Sequence, residues 1–164
     1  MSEPYIIAEI GSNWISLQGC IDSIWQAKEC GADAVKFQMF THEELYGVPG
    51  DDTFDLPRGF ISELAQHCKA IDIDFMCTAF TADGVKFIDP FVKMHKVASS
   101  SFTNRHLLEP VWESEKPFLI SSGMYYLDSM ILYKHGIPMI CAAAYPATIY
   151  DYCINDIGIF GYDK

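Results

Sequence analysis

The sequence predicts an α/β fold built on a parallel sheet, with about six βα units. Three observations predict it. Six short apolar runs recur along the chain, each bounded by turn or breaker residues. Their hydrophobicity is nearly continuous, as expected of parallel strands covered on both faces. Segments with helical spacing separate them, and that alternation requires right-handed crossovers.

The apolar runs are "YIIAEIG" (5–11), "ADAVKFQM" (32–39), "DFMCTAF" (74–80), "MHKVASS" (94–100), "PFLISSG" (117–123) and "PMICAAAY" (138–145). Between the first two, "QGCIDSIWQAKECG" places Ile21, Ile24, Trp25 and Ala27 with Cys30 on one side, and Gly31 is a C-terminal stop. "LPRGFISELAQHCKAI" spaces Phe60, Ile61, Leu64, Ala65 and Cys68 as one apolar stripe. "TADGVKFIDPF" is shorter, with Thr81 as a candidate N-cap. "TNRHLLEPVWESE" and "YLDSMILYKHG" follow the later strands. No repeat, low-complexity tract or linker breaks the pattern, so a single domain over 1–164 is expected.

Composition bounds the partners. Half of the 164 residues are hydrophobic and a fifth are charged, a globular balance. The net charge of −11 repels nucleic acid and anionic lipid, so neither is expected as a partner. "MSEPYIIAEIGSNW" lacks a basic n-region, and the apolar stretch "IPMICAAAYPATIY" is short and broken by prolines. A cytoplasmic protein is therefore expected. The six cysteines form no C-x-x-C pair and read as reduced, mostly buried thiols.

Parallel α/β sheets carry function at the carboxyl ends of their strands. Polar residues collect there: Glu9, Lys36 with Gln38, Thr78, Lys96 with Ser99, Ser100 and Ser101, then Ser121 and Ser122 before Gly123, and Tyr145. An ammonium inside an apolar strand costs several kcal/mol unless paired or hydrated. Two such lysines at one end of a sheet point to an anion site, with "ISSGM" adding hydroxyl donors. Glu9 either pairs with Lys36 or serves as a proton acceptor or sugar-hydroxyl partner. No G-x-G-x-x-G or P-loop pattern is present, which excludes the usual nucleotide cradles.

"IAEIGSN", "GADAVKFQMF", "KVASSSFTNRHLL", "ISSGM" and "YPATIYD" occur in the order found in sialic acid synthases, and the chain resembles that family from Tyr5 to Asp151. The resemblance implies a TIM-barrel-like (β/α)₈ fold, often followed by a small antifreeze-like domain. It implies condensation of phosphoenolpyruvate with N-acetylmannosamine or a related amino sugar, a divalent metal (Mn²⁺ or Mg²⁺), and a homo-oligomer. Carried over by position, Lys36 and Lys96 resemble the lysines that bind phosphoenolpyruvate. Ser99 and Ser121 resemble the hydroxyls that hold its phosphate or carboxylate, and Tyr145 resembles a substrate-contacting tyrosine. Gln38 shares the motif of Lys36 and is counted with these substrate-binding residues. Glu9, Lys96 and Ser101 occupy the catalytic positions.

The departures are specific. The family reads K-I-A-S-G-E at strand four, so Ser101 stands where a substrate-contacting glutamate is expected. A hydroxyl cannot act as a carboxylate base near neutral pH. N-H-N-G after strand one is "NWIS", and Ala143 replaces a polar residue before the strand-six Tyr-Pro. The metal-ligating histidines of Ser-Asp-His and Glu-Lys-His motifs are absent. A closed barrel of this type takes about 250 residues. The expectation is thus a partial barrel of about six units without the antifreeze-like domain, completed by a second or complementing chain if at all. A rival expectation is a non-catalytic ligand-binding or assembly protein on the same scaffold.

Overall fold

The computed structural model describes residues 3–12, 16–51, 55–124, 136–144 and 146–151. Six strands lie among them: β1 (Ile7–Gly11), β2 (Ala34–Met39), β3 (Asp74–Ala79), β4 (His95–Val97), β5 (Phe118–Ser121) and β6 (Gly136–Met139). Five α-helices accompany them: α1 (Leu17–Glu29), α2 (His42–Tyr46), α3 (Ile61–Ala70), α4 (Ala82–Ile88) and α5 (Arg105–Glu113). Every ladder is parallel. The expected alternation holds, with one difference in connectivity. The strands form two three-stranded sheets, β1-β2-β3 and β4-β5-β6, with β3 and β4 packed side by side.

Register sorts the side chains. Glu9 pairs with Lys36, Lys36 with Met76, and Gln38 with Thr78, so these share one face of the first sheet. Lys96 pairs with Leu119, and Ser121 with Met139, on the corresponding face of the second. These inner faces meet low down in a small apolar cluster of Ala34, Met76 and Leu119, flanked by Ile7, Met94 and Met139. The outer faces carry Val35, Phe37, Phe75, Cys77, Val97, Phe118 and Ile120 against the helices, forming the main core. An inner layer of side chains inside a ring of strands and helices is barrel geometry.

Local chemistry explains the helices. Ser16, Thr41, Thr81 and Asn104 each accept a backbone N–H at a helix N-terminus. Thr41 and Glu44 complete a capping box. Gly31 follows α1 at φ +86°, the left-handed stop expected of it. On α1 the buried stripe is Cys20, Ile21, Ile24 and Ala27, whereas Trp25 and Cys30 are exposed, narrower than the spacing predicted. On α3 Ile61, Leu64 and Cys68 are buried, and Phe60 and Ala65 sit at the margin.

Every strand is trimmed or shifted relative to its expected bounds, and β4 and β6 differ most. β4 stops at Val97, because Ser99–Ser101 curl into one 3₁₀ turn closed by Ser101 N–H to Ala98 O at 3.0 Å. β6 begins at Gly136 and ends at Met139, short of the expected 138–145. Pro138 sits inside it, tolerated because among the described residues β6 is an edge strand. The expected helix "YLDSMILYKHG" lies, but for Gly136, outside the described residues, as do Tyr145 and Cys153. Cys20, Cys68 and Cys77 are buried free thiols, as expected. No helix among the described residues is long and apolar enough to cross a membrane.

Candidate functional site

The polar layer of the inner face begins one step above the apolar cluster. Lys36 is 7 % exposed, and its ammonium is ion-paired with the Glu9 carboxylate on the neighbouring strand. The pairing expected as one alternative for Glu9 is thus present, and half of the Glu9 side chain remains exposed. Gln38, half-buried, follows Lys36 on the same face. Beside it the Thr78 hydroxyl is buried and has no hydrogen-bond partner among the described residues. A buried hydroxyl without a partner is costly, and a ligand oxygen at this level would satisfy it.

Lys96 enters from the other sheet and donates to the Val97 carbonyl at 2.9 Å. Burial, and after it the Lys36 ammonium, push its pKa down to about 8, with Cys141 and Glu9 acting in the opposite direction. The two lysines therefore feel each other's charge. Two mutually repelling ammoniums in a half-buried site are relieved by an anion placed between them.

Hydroxyls complete the layer. The Ser99 Oγ accepts the Gly123 N–H at 3.1 Å, tying the turn after β4 to the loop after β5. Ser121, 5 % exposed, accepts from the Cys141 thiol at 3.3 Å, and Ser122 donates to the Met139 carbonyl at 3.0 Å. Ser101 is 7 % exposed within the 3₁₀ turn. Thus Glu9, Lys36, Gln38, Lys96 and Ser121 come to one inner face, with Ser99 at its rim. Ser101 sits two residues beyond Ser99 in the same turn. Tyr145 lies outside the described residues. Thr78 belongs to the layer by register, and its position near the end of a strand was the only sequence signal for it. Cys141 was read as one of several scattered thiols, because nothing local marks its approach to Ser121 and Lys96.

The donor set for a divalent metal does not fit the described residues. None of their His, Cys, Asp and Glu side chains form a group of three or more that could hold one. Glu9 is occupied by Lys36. The His95 ring bonds Asp89 on the outer, helix-packed side, and His42 bonds the Val48 carbonyl. A separate cleft of about 450 Å³, lined by Gln66, Lys69, Asp72, Phe91 and Lys93, opens at the amino ends of β3 and β4 and includes neither Lys36 nor Lys96.

Parallel strands in barrel geometry, with two lysines and several hydroxyls toward their carboxyl ends, define a (β/α)-barrel-type protein. The comparisons with known proteins give the family. A model described as the NeuB family matches residues 50–161, and the chain belongs to that family. It is similar to N,N'-diacetyllegionaminic acid synthase of Legionella pneumophila, at 29% identity over 90% of this chain and 51% of that protein. It is also similar to N-acetylneuraminate-9-phosphate synthase of Drosophila melanogaster, at 29% identity over 77% of this chain and 39% of that protein. The crystal structure of an N-acetylneuraminic acid (sialic acid) synthetase from Leptospira borgpetersenii, in complex with citrate, superposes with a TM-score of 0.86. It covers 94% of this chain and 60% of that one, at 24% identity, and so shows the fold. The chain spans about half the length of the curated relatives it matches.

Proposed function

We propose that this chain is the phosphoenolpyruvate-binding part of a sialic-acid-synthase-like enzyme. The observation that carries the reading is the pair Lys36 and Lys96, brought from different sheets to one inner face and close enough for one charge to depress the other. Phosphoenolpyruvate carries a phosphate and a carboxylate, which suits two cations ringed by hydroxyl donors. In this reading Lys36 and Lys96 neutralise the anion, while Thr78, Ser99 and Ser121 donate to its oxygens. Glu9 holds the Lys36 ammonium in place and offers its exposed edge to a sugar hydroxyl.

The reaction of the whole protein would be attack of the enolpyruvate C3 on the aldehyde of N-acetylmannosamine or a related amino sugar. Water adds at C2 and phosphate leaves. The described residues supply no donor set for Mn²⁺ or Mg²⁺, so the roles assigned to this chain are confined to binding and orienting the anion. A homo-oligomer or a complementing chain would supply the remainder of the site.

Calorimetric titration with phosphoenolpyruvate tests the reading. A saturable binding isotherm is expected for the unaltered chain, with affinity at least about tenfold weaker in Lys96→Ala, since a hydrogen bond to a charged group carries about 1.5–3 kcal/mol. No binding by the unaltered chain would sink it. A second reading, a non-catalytic binder, is favoured by Ser101 standing where the related enzymes carry a glutamate. Phosphate release in the presence of an amino sugar separates the two. An enzyme releases phosphate, and Ser101→Glu raises the rate, whereas a binder takes up phosphoenolpyruvate and releases none in either form.

A further inference from the structure

Three loops converge on Gly123. A Cβ built there would meet the Ser99 Oγ and the Cys141 carbonyl at 3.2 Å, and the Ala143 nitrogen at 3.3 Å. These atoms belong to the segments following β4 and β6, so Gly123, which follows β5, is the point where all three strand ends are held together. Its backbone lies outside the left-handed region, so conformational freedom does not explain a glycine here. Close approach does.

The approach places the Gly123 N–H 3.1 Å from the Ser99 Oγ. A backbone N–H can only donate, so the serine oxygen is committed as acceptor. Its single proton is then left for another partner. A serine held this way serves a ligand oxygen that accepts and does not donate.

We propose that Gly123 is a positioning residue for the anion site: it fixes the Ser99 hydroxyl as a donor toward a bound oxyanion, and its lack of a side chain is what permits that contact. The inference rests on the phosphoenolpyruvate reading above. Gly123→Ala acts without removing the serine. The methyl group forces either the Ser99 hydroxyl or the backbone at Cys141–Ala143 to give by a few tenths of an ångström.

Titration with phosphoenolpyruvate of the unaltered chain, Gly123→Ala, Ser99→Ala and the double variant tests it. Loss of one charge-assisted hydrogen bond predicts an affinity about tenfold weaker for Ser99→Ala and several-fold weaker for Gly123→Ala. The double variant should bind no more weakly than Ser99→Ala, because glycine acts through the serine. Effects that multiply, or an unaltered affinity in Gly123→Ala, overturn the inference while leaving the anion reading standing. No binding by the unaltered chain overturns that reading, and the inference with it. A measurement that needs no variant at Gly123 is amide exchange. The Gly123 N–H should lose its protection in Ser99→Ala, and protection unchanged by that substitution overturns the inference as well.

Discussion

Burial and the neighbouring Lys36 ammonium hold the Lys96 pKa at about 8, far below the ordinary lysine range. The folded state therefore binds the proton less tightly than the unfolded chain. Stability contributed by this group rises with pH between about 8 and the ordinary value, and below 8 the buried charge is a standing cost. Its scale is on the order of 3 kcal/mol. Lys96→Met should accordingly raise the thermal midpoint at neutral pH while abolishing anion binding. A lower midpoint would show that the ammonium is not a cost. A bound anion favours the charged form, so binding near pH 8 should take up protons, seen as a buffer-dependent binding enthalpy. The lysines themselves were legible, because a cation in an apolar run stands out. The Gly123–Ser99 bond, the orphaned Thr78 hydroxyl and the Cys141 contact were not. Each joins residues from different loops or strands, and only register brings them together.

At the scale of elements, β4 shows how a short strand is held in place. His95 and Lys96 are consecutive and point to opposite faces, one to the helices and one to the site. The buried His95 ring lies 2.9 Å from the Asp89 carboxylate, which Lys116 also bonds at 3.1 Å. Burial pushes the Asp89 carboxyl up, but hydrogen bonds from His95 and Lys116 outweigh it and hold the group below its ordinary range. Burial outweighs Asp89 at His95 and lowers its pKa, so the neutral ring donates its Nε2 proton. With the folded value below the unfolded one, stability is fully present above about pH 6.5. It is lost as pH falls through that value toward the folded one. The midpoint should therefore drop between pH 7.5 and 5.5, and His95→Gln should flatten the drop. An equal slope in both proteins would exclude His95 as its source. Helices α1, α3, α4 and α5 were readable from the sequence, α4 with its Thr81 cap, whereas α2 was not anticipated. The bounds of β4 and β6 were not, because a serine turn and an edge-strand proline both look strand-like within an apolar run.

At the scale of the whole molecule, the question is what closes the inner face. Among the described residues β1 and β6 each pair on one side only, and β3 and β4 pack without a continuous ladder. Barrel interiors are normally filled by side chains from all around the ring. Here the apolar inner cluster is small, and Ile137 on β6 remains 43 % exposed and Met124, after β5, 59 %. The nearly continuous apolar runs marked the strands and the polar residues at their ends, but a strand's sequence does not state how many neighbours the sheet will have. Unpaired parallel edges next to exposed apolar side chains favour pairing with further chain. In solution this 18.5 kDa chain is expected to have a mass of at least twice that value by light scattering at micromolar concentration. Ile137→Lys places a charge on the same inner face and should shift the mass toward the monomer, while Trp25→Lys, on the exposed side of α1, should not. A monomer at every concentration would mean that the inner face is closed within the chain itself. In that case the anion site would have to be complete without a second copy.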